Sequence, residues 1–317
     1  MKKAIDVEWV PFNIKVTIDL DAEDLNPVFA NLLWTHLPYN SLQNHALVSG
    51  NHLYHIVPFP EMVYKKAQYK EDRTKSPDGT MFMSNLRHMA IKYGPLTEYI
   101  PAAPVGHVQA ADMDKFREAG RKNWEAATKT HIPVEVRVTR HGEEFTGYQL
   151  PTFPAVSSPD VQKFINKVHA ITQDIWLEKP AELVAIHNGK SPSHAGSYNQ
   201  YFSTMLFVNG ETRPLGYNAM DGLIRMCREP EVTIEQLRLM TPHLLNIPGE
   251  FLGYCGLNTM WEFIQEADEL LPQVANKEEF MAFMETLALY VNHLNAWNLQ
   301  LYPWSFGEEA FKYNGRK

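Results

Sequence analysis

Cysteine, basic charge and long apolar runs are all scarce in this sequence of 317 residues. Its two cysteines, Cys227 and Cys255, cannot build a disulfide framework or a cysteine metal cluster, and they favour a reducing compartment. The net charge of -8 argues against a nucleic-acid protein, because phosphate binding needs a basic surface. No stretch approaches the roughly 20 apolar residues of a membrane span, and the first residues lack the apolar run of a signal peptide. We therefore expect a cytoplasmic protein with neither a nucleic-acid nor a membrane partner.

The sequence also lacks the motifs of common cofactor and metal sites. It contains no glycine-rich phosphate loop and no dinucleotide fingerprint, so we expect no nucleotide cofactor. Thirteen histidines leave a metal site as an alternative, because neutral imidazole is a common metal ligand. However, the expected ligand spacings are absent and no His-x-x-x-His pair occurs. We therefore expect neither a metal nor a cofactor.

The first part of the chain has the periodicity of β-structure. Residues 4–20 alternate apolar and polar side chains and predict a strand, as do 86–94 and 131–142. The polar segment 64–81 ends in Pro-Asp-Gly and predicts a surface loop. Residues 26–37 and 113–129 each predict a helix, so this part is β-rich with two helices.

A proline-rich linker separates that part from a mainly helical one. After the linker, apolar residues recur at helical spacing, and capping-box patterns begin helices at Thr233–Gln236 and Asn276–Glu279. The predicted fold class is therefore α+β, with one domain at 1–147 and an all-α helical bundle domain at 148–317.

The centre of the first domain is the stretch 37–57, LPYNSLQNHALVSGNHLYHIV. Its Gly50-Asn51 dipeptide predicts a two-residue hairpin turn, which pairs His45 with Ile56. Because side chains alternate across a strand, the predicted hairpin has two different faces. We expect the core face to carry Ala46, Val48, Leu53 and Val57, with His55 at its edge. We expect the other face to carry His45, Ser49, His52 and Tyr54, which together make a platform for a site.

The same stretch resembles the signature of a cyclophilin-like family: Leu-Pro-aromatic-Glu, then a His, then Ser-Gly before the next strand. His45 and the dipeptide Ser49-Gly50 match, whereas Asn40 stands where the family has Glu and Val48 where it has Trp. The segment AIKYGPLTEYIPAAPVGHV is similar to the later part of the same family. The resemblance covers most of the first domain and implies a cyclophilin-like β-barrel.

The joining of such a barrel to a C-terminal helical bundle resembles the opine-forming enzymes cucumopine synthase and mikimopine synthase. This resemblance implies a cofactor-independent, Pictet–Spengler-type condensation of L-histidine with 2-oxoglutarate. The amine attacks the keto carbon, water leaves, the imidazole carbon closes the ring, and a base removes a ring proton. Such a reaction needs acid–base groups and partners for three carboxylates.

Candidates for the proton transfers lie in two places. His45, His52 and Tyr54 come first, because the predicted hairpin brings them to one face and histidine titrates near neutral pH. Glu98 lies in the segment that resembles the family's later strands. The alternatives are that the first three are half-exposed strand residues and that Glu98 is a solvated acid at a strand end.

Eight further residues are candidates for binding the substrates. They are Tyr39, Asn40, Ser49, Lys92, His107, His187, His194 and Arg213. His187 and His194 belong to a polar loop, 187–199, whose glycines favour closure over a ligand, with a plain surface loop as the alternative. The alternative interpretation of Lys92 is an ordinary solvated lysine on a strand.

Two other classes of function stay open at this point. One is a non-catalytic binder of a small molecule or peptide, and the other is a prolyl isomerase, which rests on fold analogy alone. The polar His/Tyr face favours chemistry over an apolar peptide groove. We therefore expect an enzyme acting on small-molecule substrates, and we leave a homo-oligomer open.

Overall fold

The computed structural model describes residues 3–191 and 201–303. Contacts divide the chain into two compact units. The first combines Met1–Ala127 with Ile132–Pro151, and the second combines Thr128–His131 with Thr152–Lys317. Buried apolar side chains fill the interior of each unit.

The first unit is built around a closed antiparallel β-barrel. Its strands are β1 (Ala4–Trp9), β2 (Ile14–Asp19), β3 (Tyr39–His45), β4 (Gly50–Ile56), β5 (Glu71–Asp72), β6 (Thr80–Ser84), β7 (His88–Leu96), β8 (Pro101–Val108) and β9 (Glu135–Arg140). Eight of them follow the order β2-β1-β9-β3-β4-β7-β6-β8, and pairing of β2 with β8 closes the ring. The short β5 pairs with β8. Closure gives each of the eight strands a partner on both sides.

Alternation of side chains fills the barrel. In β1, for example, Val7 and Trp9 belong to the buried core. Helix α1 (Pro27–His36) and helix α2 (Met113–Glu125) add apolar side chains to the same core. The ring of Phe116 from α2 stacks 5.8 Å from that of Trp9. The core therefore joins the strands to α2.

The strand predicted over residues 4–20 is in fact two strands. A 3-10 turn, Val10–Phe12, and Asn13 at φ 52° reverse the chain between β1 and β2. Asparagine adopts this left-handed conformation more readily than most residues. Alternation stops at residues 9–12, and Pro11 and Asn13 are typical turn residues, so the sequence does carry a signal of the reversal that the single-strand prediction passed over.

Gly120 allows α2 to approach β7 closely. A Cβ at this position would lie 2.6–2.8 Å from ring atoms of Tyr93. Gly120→Ala is therefore expected to destabilise the fold by about 1–3 kcal/mol, measured as a lower thermal midpoint. Gly210→Ala is the control, because a Cβ there meets nothing within 4 Å and alanine favours a helix. Equal midpoints for the two variants would contradict the close approach.

The second unit is a helical bundle. Its helices are α3 (Pro159–Asp174), α4 (Ala181–His187), α5 (Tyr201–Arg213), α6 (Asp221–Cys227), α7 (Ile234–Tyr254), α8 (Asn258–Leu270) and α9 (Lys277–Gln300). Helix α9 packs against α3, α5 and α6 and is buried along nearly its whole length. The predicted α+β architecture of a barrel followed by a bundle is confirmed. Of the helices in the described ranges, none has the length and apolar character needed to cross a membrane.

Side-chain caps begin two of these helices where the sequence predicts them. Thr233 and Gln236 form the complete capping box at α7. At α9, Asn276 accepts a hydrogen bond from the Glu279 N–H. The Glu279 carboxylate, however, accepts bonds from the N–H and the hydroxyl of Ser157 and from the N–H of Ala275 instead of closing the box. The carboxylate thus fastens the start of α3 to the start of α9.

Candidate functional site

The connection between β3 and β4 differs from the predicted two-residue turn. His45 pairs with Leu53, and residues 46–49 connect the strands. Gly50 begins β4 with a φ of 101°, at an irregularity in its pairing with β7. A Cβ there would lie 2.5 Å from the carbonyl oxygen of Pro95. The glycine therefore serves the close approach of two strands and not the turn.

This register places His45 and Tyr54 on opposite faces of the hairpin. His45 lies beside Leu53 of the buried core, whereas Tyr54 points to the outer face. The prediction that His45 and Tyr54 share a face was wrong, because His45 pairs with Leu53 and not with Ile56. An odd shift of register reverses the face. Val48, predicted to pack in the core, lies in the connection and is 76% exposed.

Both ring nitrogens of His45 are hydrogen-bonded. Nδ1 donates to the carbonyl oxygen of Ala46 over 2.6 Å, so Nε2 accepts the bond from the Tyr93 hydroxyl, also at 2.6 Å. The ring of Trp124 packs edge-on, 4.9 Å away between centroids. Burial lowers the pKa of His45 to about 4 against the opposing effect of the Ala46 bond. His45 thus ties the β3–β4 connection to β7 as a neutral imidazole, and its part in proton transfer stays a prediction.

The outer face of β4 and β7 gathers a second set of rings. His52 and Tyr54 of β4 point outward with His88 of β7. The ring centroids of Tyr54 and His88 lie 4.7 Å apart, and those of His52 and Tyr54 lie 6.2 Å apart. These three rings, with Arg73 and Glu98, form what we call the outer-face cluster. It unites three of the four predicted catalytic residues.

Arg73 and Glu98 form an ion pair within this cluster. Arg73 Nη2 donates to Glu98 Oε2 over 3.1 Å, and Arg73 Nε donates to the backbone carbonyl of Glu98 over 3.3 Å. The Arg73 side chain is 13% exposed and the Glu98 side chain is 41% exposed. The guanidinium therefore holds a carboxylate that remains open to a ligand.

His52 is neutral in this setting. Burial, and after it the charges of Arg73, His45 and His88, lower the pKa of His52 to about 3. Its Nδ1 is buried and has no hydrogen-bond partner among residues 3–191 and 201–303. Because Nδ1 is closed to a bound molecule, a hydrogen bond from this neutral imidazole to a ligand falls to Nε2. The ring is thus an additional polar group for a ligand at the cluster.

Two predicted substrate-binding residues are engaged in the barrel. The hydroxyl of Tyr39 lies 2.9 Å from Nε2 of His55 in the barrel interior, and Tyr39 is fully buried. Asn40 donates from Nδ2 to the Glu135 carboxylate over 3.0 Å. Neither residue touches the outer-face cluster through these contacts, so their substrate-binding roles stay predictions.

Ser49 is hydrogen-bonded next to the outer-face cluster, whereas His107 is paired with an acid elsewhere in the barrel. The carbonyl of Ser49 accepts a hydrogen bond from the N–H of Thr97, the residue before Glu98. His107 Nδ1 lies 2.7 Å from Asp21 Oδ1, where β8 meets β2. The structure therefore brings Ser49 next to the cluster, and it pairs His107 with an acid elsewhere.

The remaining predicted substrate-binding residues are spread over both units. Lys92 lies on the outer face of β7, where its ammonium donates to backbone carbonyls. His187 donates a 2.8 Å hydrogen bond from Nε2 to Oδ1 of Asn298 in the bundle, and Arg213 is exposed at the end of α5. His194 lies outside the described residues. Within the part of the chain that the structure describes, no three metal-binding side chains come together.

Arg73 and His88 belong to the cluster but are not among the predicted site residues. Arg73 lies in the segment 64–81, which the sequence marks only as a polar loop. The path of such a loop depends on hydrogen bonds to residues distant in sequence, which the pattern of apolar and polar residues does not reveal. His88 does carry a signal, because it lies four residues before Lys92 in one strand and so shares its face.

Three buried histidines are expected to make the fold sensitive to acid. Burial lowers the pKa of His45 to about 4 and the pKa values of His52 and His55 to about 3. An unfolded chain takes up protons at these histidines below about pH 6.5, and the folded chain does not. The free energy of unfolding should therefore fall as the pH drops from about 6.5 toward 4, by up to about 1.4 kcal/mol per pH unit for each histidine.

Urea unfolding at pH 7, 6 and 5 measures this loss. His55→Gln keeps a hydrogen-bonding side chain beside Tyr39 but cannot titrate, so it should flatten the pH dependence. The control is His243→Gln, since His243 is exposed on α7. A pH dependence that His55→Gln leaves unchanged would show that His55 does not contribute.

A barrel followed by a helical bundle, with a carboxylate, a guanidinium and a neutral imidazole gathered at the outer face of β4 and β7, has the groups of an acid–base enzyme. The model of the cucumopine synthase C-terminal helical bundle domain matches residues 161–301. The solved structure of McbB in complex with tryptophan is 54% identical with a TM-score of 0.94, over 96% of this chain and 99% of that chain. A comparison with curated proteins finds no match. The chain belongs to the cucumopine synthase family and is a Pictet–Spengler-type enzyme.

This assignment confirms the family and the enzyme class predicted from the sequence. It also confirms a Pictet–Spengler-type condensation of small molecules as the activity. The non-catalytic binder and the prolyl isomerase are therefore set aside.

Proposed function

We propose that the enzyme joins L-tryptophan to a small carbonyl compound and that the outer-face cluster carries out the proton transfers. The observation that carries the proposal is the Arg73–Glu98 ion pair, with its open carboxylate beside the neutral His52. Tryptophan is the first choice of amine because McbB, similar over almost the whole chain, holds tryptophan. L-histidine with 2-oxoglutarate is the second candidate, supported by the match to the cucumopine synthase bundle domain.

The reaction needs proton transfers and no change of oxidation state. The amine loses a proton and attacks the carbonyl carbon, and water leaves as the iminium forms. A ring carbon of the amino acid then attacks the iminium carbon and makes the new carbon–carbon bond. A base finally removes the proton from that ring carbon, and the electron pair of the broken bond restores aromaticity. One water is lost in the whole sequence.

We assign the last proton transfer to Glu98. A carboxylate is a suitable base for an acidic carbon of this kind, provided that it is positioned against it. Arg73 donates to Oε2 of Glu98 and to its backbone carbonyl, so the carboxylate is oriented while Oε1 is left as the acceptor. The 41% exposure of the Glu98 side chain gives a substrate access to it.

We assign the other cluster residues to substrate binding. A pKa of about 3 makes His52 a weak base at neutral pH, so it is better suited to hydrogen-bonding the substrate than to abstracting a proton. Tyr54 and His88 present two rings 4.7 Å apart, against which an aromatic substrate ring packs favourably. Partly buried Arg73 also offers further N–H groups to a substrate carboxylate.

Mass spectrometry of the condensation products tests the substrates. The purified enzyme is incubated with L-tryptophan or L-histidine, each with 2-oxoglutarate or with a small aldehyde. We expect an adduct of L-tryptophan whose mass equals the two substrates less one water. If L-histidine gives an adduct and L-tryptophan does not, the second candidate is established in its place. No enzyme-dependent adduct from any pair would overturn both.

A further inference from the structure

Lys92 is a buried lysine beside the outer-face cluster. It pairs directly with His52 across β4 and β7, and its side chain is only 6% exposed. Its ammonium donates to the backbone carbonyls of Thr74 over 3.2 Å and Ser76 over 2.5 Å, and Asp78 lies 3.9 Å away. A buried ammonium needs hydrogen-bond acceptors in place of the water it has lost. Through these contacts the Lys92 side chain binds the segment that contains Thr74, Ser76 and Asp78.

That segment, residues 71–79, contains Arg73, and we call it the Arg73 loop. Only its first two residues form a strand, so the rest of its path depends on individual hydrogen bonds. Asp72 accepts hydrogen bonds from the N–H and the hydroxyl of Thr74 within the loop. The backbone carbonyl of Lys92 accepts the Gly79 N–H at the end of the loop. The Lys92 side chain supplies the contact to its middle.

We propose that Lys92 is a positioning residue, which sets the place of the Arg73 guanidinium relative to Glu98 through the carbonyls of Thr74 and Ser76. The inference rests on the proposed function of the Arg73–Glu98 pair. Arg73 directly precedes Thr74, so displacement of the Thr74 carbonyl moves the Arg73 backbone. Without the ammonium, two carbonyls lose their donor and the middle of the loop is no longer fastened to β7. Lys92 thus affects the reaction without touching the substrate.

A double-mutant cycle separates this role from a general loss of structure. Lys92→Met keeps the length of the side chain and removes the donor, and it is made in the parent and in Arg73→Met. In the parent we expect kcat to fall by about tenfold to a hundredfold, since small misplacements of catalytic groups have effects of this size. In Arg73→Met we expect Lys92→Met to change kcat by less than about twofold, because its target is already gone.

A neighbouring lysine provides the matched control. Lys75 lies in the same loop, and its side chain is 84% exposed beside Asp72. Lys75→Met should leave kcat as in the parent. Lys92→Arg should recover part of the lost turnover, because a guanidinium also donates several hydrogen bonds. An equal loss from Lys92→Met in both backgrounds, or no loss in the parent, would overturn the proposal.

Amide hydrogen exchange gives a readout that does not depend on turnover. Lys92→Met should speed exchange in peptides covering the Arg73 loop, and Lys75→Met should not. If the parent condenses no substrate pair, the proposed function fails while exchange still decides whether Lys92 fastens the loop. If Lys92→Met does not fold, the partial variant Lys92→Arg carries both measurements. Unchanged exchange in a folded Lys92 variant would overturn the inference.

Discussion

Glu98→Gln is expected to lower turnover by about two orders of magnitude or more, the usual worth of a positioned acid–base group. Glutamine keeps the size of the side chain and can still hydrogen-bond Arg73, but it cannot take a proton from the substrate ring carbon. The fold should hold, because the Glu98 side chain is 41% exposed and ion pairs of this kind contribute little to stability. Steady-state turnover and the thermal midpoint of the same preparation measure both effects.

Glu118→Gln is the matched control for this change. Glu118 lies on α2, and its 48% exposed side chain pairs with Lys122. Its replacement should leave turnover and midpoint unchanged. Parent-like turnover in a folded Glu98→Gln enzyme would show that another group removes the ring proton.

Arg73→Met should lower turnover by about tenfold to a hundredfold, through the misplacement of Glu98. The side chain makes two contacts, one to the Glu98 carboxylate and one to its backbone carbonyl. Arg73→Lys keeps the positive charge but has no planar fork to span both oxygens, so it should recover only part of the loss. Recovery of full turnover by lysine would mean that charge alone is needed.

The control for Arg73 is Arg117→Met on α2. Arg117 is 44% exposed, pairs with Asp114 over 3.2 Å and lies 4.0 Å from Asp78 near the far end of the Arg73 loop. Its loss should leave turnover unchanged because exposed pairs are worth little and it is not part of the cluster. Full activity of Arg73→Met would remove Arg73 from the proposed mechanism.

The elements with strong local signals could be predicted from the sequence. Alternation predicted β7 and β9, and the helical period predicted α2 and α9. The domain order followed from the change of periodicity at the linker, since a β-rich and an all-helical segment bury their apolar faces in different ways. The reversal at Val10–Phe12 was missed because the alternating residues on both sides of it were taken as one strand, although Pro11 and Asn13 mark a turn.

The candidate site shows where such prediction ends. His52 and Tyr54 were placed together correctly because residues two apart in a strand point to the same face, whichever strand they pair with. The placement of His45 depended on the register of the hairpin, and the register depended on what Gly50 does. Gly50 meets the backbone of Pro95, a contact between residues far apart in sequence. Arg73 was missed for the same reason, because its place is set by Glu98 and the hydrogen bonds of a loop.

The fate of the hydrogen on the attacking ring carbon tests the central claim most directly. L-tryptophan with deuterium at carbon 2 of the indole ring is incubated with the enzyme and its carbonyl partner, and the product is analysed by mass spectrometry. A Pictet–Spengler-type ring closure removes that hydrogen, so we expect an enzyme-dependent product that has lost the deuterium. A condensation product that keeps the deuterium would contradict ring closure at this carbon and, with it, the proposed function.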